Sequence, residues 1–96
     1  MIVRLWRGWT RPADADAYQA FLAAEVASGF LAGGRVEVLR RDDGAEVAFV
    51  TLARFPDWDA VRAFAGSDPD RAVVPDGARR WLTRWDERVA HFEAVA

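Results

Sequence analysis

The sequence predicts one small α+β domain with its elements in the order strand, helix, strand, strand, helix, strand. Four segments have the alternating or apolar pattern of strands, two have apolar residues at helical spacing, and Pro or Gly stands between them. A chain of 96 residues is too short for two independently folding units, so residues 1–96 are expected to form a single domain.

The first predicted strand, residues 2–10, is rich in β-favouring side chains. Pro12 ends it, because proline has no N–H for a strand ladder and its fixed φ suits the first turn of a helix. The helix is predicted from there to Ser28, with Gly29 as its C-terminal cap. Residues that recur in it at three- and four-residue spacing are Tyr18, Phe21, Leu22, Glu25 and Val26.

A hairpin is predicted next. Gly33-Gly34 indicates a turn, and residues 35–41 alternate in polarity as a strand. Asp43-Gly44 is a strong signal for a hairpin turn of type I′, which needs positive φ at both central positions. Residues 46–55 form the following strand, which is apolar on both faces. Both of those faces therefore need to be covered.

The remaining residues predict a second helix and a final strand. Asp57 can cap the start of a helix, whose apolar stripe covers residues 58–65. Asp68-Pro69 predicts a further short helical turn, and residues 73–86 have no clear pattern. Residues 87–95 alternate as the last strand.

Two similar halves meet at the hairpin, which is the split βαβ or ferredoxin-like arrangement. Its βαββαβ order gives an antiparallel sheet with both helices on one face. Because the helices cover only that face and residues 46–55 are apolar on both, the other face needs its own cover. We expect a second copy of the chain to cover it, giving a homodimer.

Composition excludes several partners. The 13 basic residues are all Arg and face 15 acidic residues, and the net charge of −2 argues against nucleic acid or an anionic membrane. RNA-recognition domains share this element order, but Val47 stands where their first base-stacking aromatic belongs. The N-terminus lacks the apolar segment of a signal peptide, and no apolar run reaches the ~18–20 residues of a membrane span. A cytoplasmic protein is expected.

Composition also argues against cofactors. The chain has no Cys, which removes disulfides, thiolate catalysis and zinc–sulfur sites. A single His cannot build a His-rich metal site, and no Gly-rich phosphate loop follows a strand. No haem, flavin or metal is expected.

Five stretches carry a resemblance to a known family: VRLWRG at 3–8, YQAFL at 18–22, VLRRDDG at 38–44, AFAGSDPDRAV at 63–73 and VAHFE at 89–93. On these residues the chain resembles the antibiotic biosynthesis monooxygenase-like family over nearly its whole length. The resemblance implies a dimeric α+β barrel, in which two such sheets pack face to face. Family members include cofactor-free oxygenases, haem-degrading enzymes and proteins with no assigned reaction.

The haem-degrading branch is disfavoured. The resemblance implies that those enzymes bind iron with a His after the second helix and use an Asn near the end of the first strand. Here residues 67–85 contain no His, and the chain contains no Asn.

The resemblance implies a cofactor-independent monooxygenase that acts on a small aromatic or polyketide-like molecule in a barrel cavity. Once deprotonated, such a substrate reacts with dioxygen itself, so the protein need supply only a base, an apolar enclosure and an anion stabiliser. The candidate base is His91, and the candidate anion partner is Arg80. The candidate walls of the cavity are Trp6, Trp81 and Phe64.

Each candidate also has a structural interpretation. His91 alternates with apolar residues, as a core histidine does. Trp81 and Trp85, four residues apart, would share one helix face and pack in the core or at a dimer contact. Arg80 belongs to an Arg cluster that is typical of a solvated face. The competing function is therefore a non-catalytic dimeric barrel that binds a ligand or has a structural role.

Overall fold

The computed structural model describes residues 1–29 and 35–96, which form a five-stranded antiparallel sheet and two α-helices. The strands are β1 (Ile2–Thr10), β2 (Arg35–Asp43), β3 (Glu46–Phe55), β4 (Leu82–Trp85) and β5 (Ala90–Glu93), and the helices are α1 (Ala15–Ala27) and α2 (Trp58–Ala65). The sheet order is β2-β3-β1, and both β4 and β5 pair with the other edge of β1. This arrangement is consistent with a ferredoxin-like fold. Neither α-helix of the described chain is long and apolar enough to cross a lipid bilayer.

Two short strands, β4 and β5, pair with the edge of β1 where one last strand was predicted. β4 ends where Trp85 pairs with Gly8, and β5 begins where Ala90 pairs with Leu5. Two residues of β1 lie between these pairs and four residues lie opposite them, so the edge strand bulges there. The predicted strand at residues 87–95 is therefore shorter than expected, and β4 arises in the stretch that had no clear pattern.

The expected helix face of Trp81 and Trp85 is wrong. Trp81 follows a single 3₁₀ turn at Ala78–Arg80, and Trp85 is the last residue of the strand β4. Side chains four residues apart lie above one another on a helix surface, but these two residues are not on one helix.

The signals for the helix ends are confirmed. Pro12 begins a short 3₁₀ turn that leads into α1, and Gly29 follows the helix with a φ of 84°, which suits a C-terminal cap. The Asp57 Oδ1 accepts a hydrogen bond from the Ala60 N–H at 2.9 Å and so caps the start of α2.

The hairpin turn lies one residue later than predicted. Asp43 pairs with Glu46, so Gly44 and Ala45 are its central residues. Gly44 has a φ of 76°, and no non-glycine residue in the described ranges has a positive φ. Positive φ at the first central position alone is the pattern of a type II′ turn, so the expected type I′ turn is wrong. The turn predicted at Gly33-Gly34 lies outside the described residues.

Both helices pack on the same face of the sheet, as predicted. Under α1, Trp6 belongs to one core cluster with Tyr18, and under α2, Ile2 belongs to a second cluster with Val61. Trp6 and Ile2 are both even-numbered positions of β1, and alternate residues of a strand point to the same side.

The opposite face of the sheet, called here the open face, is apolar at its centre. Its half-buried residues in β1 and β3 are Val3, Leu5, Ala48, Val50 and Leu52. Their neighbours on the outer strands, Leu39 and Phe92, are 46% and 55% exposed. Neither α1 nor α2 packs on this face.

Candidate functional site

A cavity lies between the sheet and the helices and is called here the sheet–helix cavity. The strands β1, β2 and β3 contribute Arg4, Trp6, Val38, Thr51 and Ala53, α1 contributes Leu22, Glu25 and Val26, α2 contributes Phe64, and later segments contribute Val73, Pro75 and Val89. Most of these side chains are apolar. Arg4 and Glu25 are the two charged residues among the described lining.

The sheet–helix cavity is small. Its accessible volume is about 40 Å³, below the roughly 150 Å³ of an apolar protein cavity that holds benzene. A single ring would therefore enter it only with its walls moved apart, and several fused rings would need a larger movement.

Arg4 is the one buried charged residue of the described chain, with 4% of its surface exposed. Its Nη1 donates to the carbonyl of Pro69 at 2.6 Å, and its Nη2 donates to the carbonyl of Arg71 at 2.8 Å. The Phe64 ring centroid lies 5.4 Å from the guanidinium carbon, within cation–π range. The predicted short turn at Asp68 is present, since the Arg71 N–H donates to the Asp68 carbonyl. The two hydrogen bonds from Arg4 therefore connect this turn to β1.

His91 lies beside Arg4, and its side chain is 3% exposed. The Arg4 Nη1 lies 3.1 Å from the His91 Nε2, which must be the acceptor because a guanidinium can only donate. The ring proton is then on Nδ1, which donates to the Asp70 Oδ1 at 2.8 Å. The Trp58 ring packs against His91 with 5.1 Å between ring centroids. Both ring nitrogens of His91 are therefore engaged, and His91 does not line the sheet–helix cavity.

The charge of Arg4 has no carboxylate directly against it. Burial lowers the pKa of the Arg4 guanidinium, and the negative charge of Asp70 acts in the opposite direction. No carboxylate of residues 1–29 and 35–96 lies within 4.0 Å of an Arg4 nitrogen. A guanidinium keeps its proton in proteins even when buried, so Arg4 is a buried cation.

Two of the predicted site residues line the sheet–helix cavity. Trp6 and Phe64 lie in its wall, as expected of aromatic walls. The Trp6 indole N–H donates to the Asp86 carbonyl at 2.7 Å. This bond satisfies the polar end of the indole and fixes the plane of the ring at the cavity.

Trp81 and Arg80 do not line the sheet–helix cavity. Trp81 packs on Phe21 with 5.1 Å between ring centroids. The Arg80 guanidinium carbon lies 4.3 Å from the centroid of the Trp81 ring, so Arg80 stacks on that side chain.

Three residues of the cavity lining, Arg4, Glu25 and Thr51, are not among the predicted site residues. The signal for Arg4 was its position between Ile2 and Trp6 in the alternating pattern of β1, because a charge on a buried strand face needs a reason. Glu25 lies three residues after Leu22, and residues at that spacing share a helix face.

Within the described residues, no group of three or more His, Cys, Asp or Glu side chains is placed to hold a metal ion. The sheet–helix cavity can instead do two things with its own side chains. Its apolar walls can hold an apolar group, and Arg4 places a positive charge beside that group.

Comparisons with known proteins bear on the fold. No family model matches the chain, and no curated protein matches it. The chain is similar to the solved structure of Rv0793 from Mycobacterium tuberculosis, with a TM-score of 0.63, 22% sequence identity, and coverage of 99% of this chain and 95% of that chain. At this identity the similarity supports a shared fold.

Proposed function

We propose that this chain is a homodimeric α+β barrel protein that oxidises a small phenol with dioxygen and without a cofactor. The observation that supports the proposal is the sheet–helix cavity, which is lined mainly by apolar side chains and has Trp6 and Phe64 in its wall. Apolar pockets with few polar groups are the usual sites of small-molecule binding.

The open face supports the homodimer. Its centre is apolar, and the exposed side chains Leu39 and Phe92 extend that apolar surface onto both outer strands. Burying such area contributes about 25 cal/mol per Å², which can offset the cost of association. Two copies packed through their open faces would give the barrel.

The proposed reaction balances without an added reductant. Deprotonation of a phenol makes the ring carbon opposite the oxygen electron-rich, and dioxygen forms a C–O bond there. Loss of water then gives a para-quinone, so that one phenol and one dioxygen become one quinone and one water. The phenol supplies all four electrons, and the protein supplies a base, an enclosure and an anion stabiliser.

His91 is the proposed base. Its Nε2 accepts from Arg4 in this structure, so it takes a proton from the phenol only after that hydrogen bond has broken. Trp81 and Arg80 lie outside the sheet–helix cavity, and the proposal gives them no part in the reaction.

A specific observation favours the second candidate function, a barrel that binds a ligand without catalysis. Both ring nitrogens of His91 are engaged by Arg4 and Asp70, and the ring does not line the sheet–helix cavity. A histidine with both ring nitrogens hydrogen-bonded is equally expected in a hydrogen-bond network that has only a structural role.

Oxygen uptake with phenol, together with thermal unfolding, separates the two functions. If His91 is the base, His91→Ala lowers the rate of oxygen uptake by about 10²–10⁴-fold, because that is the usual contribution of a general base. If His91 is structural, the same change mainly lowers the melting temperature, since it leaves the Arg4 and Asp70 groups without their partner. Glu93→Ala, an exposed change on the same strand, is the matched control.

Each outcome decides between the candidates. Uptake of one dioxygen per phenol, lost in His91→Ala and kept in Glu93→Ala, supports the oxygenase. Full uptake with lower stability in His91→Ala removes the catalytic role of His91. Phenol binding with no oxygen uptake by the unmodified protein removes the oxygenase and leaves the ligand-binding barrel.

A further inference from the structure

Burying the charged side chain of Arg4 in the core of a small domain costs free energy. A buried charge normally has an ionic partner, because its loss of hydration is otherwise uncompensated. Arg4 has three neutral acceptors, the Pro69 and Arg71 carbonyls and the His91 Nε2, and no carboxylate within 4.0 Å among the described residues. Its positive charge is therefore only partly offset by its surroundings.

The Arg4 guanidinium also has hydrogen-bond donors left over. A guanidinium carries five N–H groups in one plane. Nη1 uses its two on Pro69 and His91, and Nη2 uses one on Arg71. The Nε–H and one Nη2–H have no acceptor in the described part of the chain. Arg4 itself is part of the wall of the sheet–helix cavity.

We propose that Arg4 makes the sheet–helix cavity selective for a single-ring molecule that carries a negative charge, such as an aromatic carboxylate or a phenolate. The ring would pack against Trp6 and Phe64, and the anionic oxygens would accept from the free N–H groups of Arg4. Hydrogen bonds between a guanidinium and a carboxylate are roughly twice as strong as neutral ones, and stronger still in a dry site. The inference rests on the proposed enclosure of a ring in the cavity.

The hydrogen bonds that orient Arg4 suit this role. Two backbone carbonyls, those of Pro69 and Arg71, fix the guanidinium whether or not His91 keeps its hydrogen bond to it. A cation that is already oriented needs little reorganisation when the anion arrives, and this is what makes such sites effective.

Glu25 adjusts the same selectivity. It is the one acidic residue in the described lining of the sheet–helix cavity, and it forms no ion pair with Arg4. Its negative charge repels an anion in the cavity. Replacing it with a neutral residue should therefore strengthen the binding of an anionic ligand and leave the binding of a neutral one unchanged.

The test compares benzoate with benzyl alcohol, a neutral molecule of similar size, by calorimetric titration of the full chain at neutral pH. The unmodified protein should bind benzoate at least about tenfold more tightly, which corresponds to 1.4 kcal/mol. Arg4→Met should abolish this preference and still bind benzyl alcohol, and Arg4→Lys should restore part of it. Arg62→Met, the same change at an exposed position on α2, should keep the full preference.

Glu25→Gln provides a test that does not depend on the folding of the Arg4 variants, because Glu25 is half-exposed. It should tighten the binding of benzoate several-fold and leave benzyl alcohol unchanged. Equal affinities for the two molecules in the unmodified protein, or an unchanged preference in a folded Arg4→Met variant, would overturn the inference. If Arg80→Met loses the preference for benzoate and Arg4→Met keeps it, Arg80 is the residue that selects the anion, and the inference about Arg4 is overturned. If neither molecule binds, the proposed enclosure itself fails.

Discussion

Replacing Tyr18 with Phe should make the protein more stable. The Tyr18 side chain is completely buried, and its hydroxyl has no hydrogen-bond partner in the described chain. The ring itself is well packed, with an edge-to-face contact to Phe49 at 4.9 Å between centroids. Tyr18→Phe removes the unpartnered hydroxyl and keeps the ring contacts.

The size of the effect follows from the cost of an unsatisfied polar group. A buried group without a partner costs about 1–3 kcal/mol. Because Phe leaves a small void where the oxygen was, we expect the lower part of that range, about 1 kcal/mol. For a domain of this length that is a rise in melting temperature of about 4–8 °C.

The same residue should dominate the alkaline pH dependence of stability. The chain has one Tyr and no Lys or Cys, so Tyr18 is the side chain of the unfolded chain that titrates between about pH 9.5 and 11.5. Burial raises the pKa of Tyr18, so the folded protein keeps a proton that the unfolded chain loses near pH 10. The contribution of protonated Tyr18 to the free energy of unfolding is complete below pH 10. Above pH 10 the free energy of unfolding falls by about 1.4 kcal/mol per pH unit.

Urea unfolding at fixed protein concentration, followed by tryptophan fluorescence between pH 7 and 11.5, measures both effects. The unmodified protein should lose stability above about pH 10, and Tyr18→Phe should show no such loss. A Tyr18→Phe protein that is less stable at pH 7, or that shows the same alkaline loss as the unmodified protein, would refute the reasoning. Either result would mean that the hydroxyl has a partner or that the ring is not buried.

Three further predictions concern other parts of the fold. Phe92→Asp on the open face should convert the proposed dimer to a monomer in light scattering at micromolar concentration, whereas Val95→Asp, at a residue already 90% exposed, should not. Gly8→Ala should lower the free energy of unfolding by about 1–2 kcal/mol, because the added Cβ would lie 2.9 Å from a buried leucine methyl group. Asp57→Ala should cost about 1 kcal/mol in chemical denaturation through loss of the α2 cap, and Asp59→Ala, which removes no cap, should cost much less.

The fold could be predicted where the signals were local. The strand predicted at residues 46–55, apolar on both faces, has the same bounds as β3, and Pro12 and Gly29 marked the two ends of the first helical segment. Asp57 capped α2 as expected because an N-cap depends only on the first turn of its own helix. Each of these features depends mainly on residues that are close to it in the sequence.

The features that sequence reasoning missed depend on contacts between distant segments. β4 forms because Gly8 and Thr10 of β1 offer an edge to residues 82–85. The order apolar, polar, polar, apolar in that stretch does not alternate, so its pattern did not indicate a strand. The four-residue spacing of Trp81 and Trp85 predicted a shared helix face, but residues 82–85 instead pair with β1 as a strand. The hairpin was displaced by one residue because the strand register places Gly44 at the first central position of the turn.

The cavity could be anticipated only in its walls. Trp6, Trp81 and Phe64 were expected as walls on the family resemblance, and Trp6 and Phe64 line the cavity whereas Trp81 does not. Arg4 was not expected, because an Arg in a strand usually points to solvent, and its place between Ile2 and Trp6 in the alternating pattern was the one signal for its burial.

Arg4 and Tyr18 are polar residues buried on the same face of the sheet, yet they lead to opposite expectations. Among the described residues the Tyr18 hydroxyl has no partner, and it is not part of the cavity wall, so it is a net cost that Phe removes. Arg4 has three acceptors there, and its remaining donors belong to a residue that lines the sheet–helix cavity. A ligand there could supply the missing acceptors, and its binding free energy would then stabilise the folded state. Benzoate should therefore raise the melting temperature of the unmodified protein and of Tyr18→Phe by the same amount, and fail to raise that of Arg4→Met.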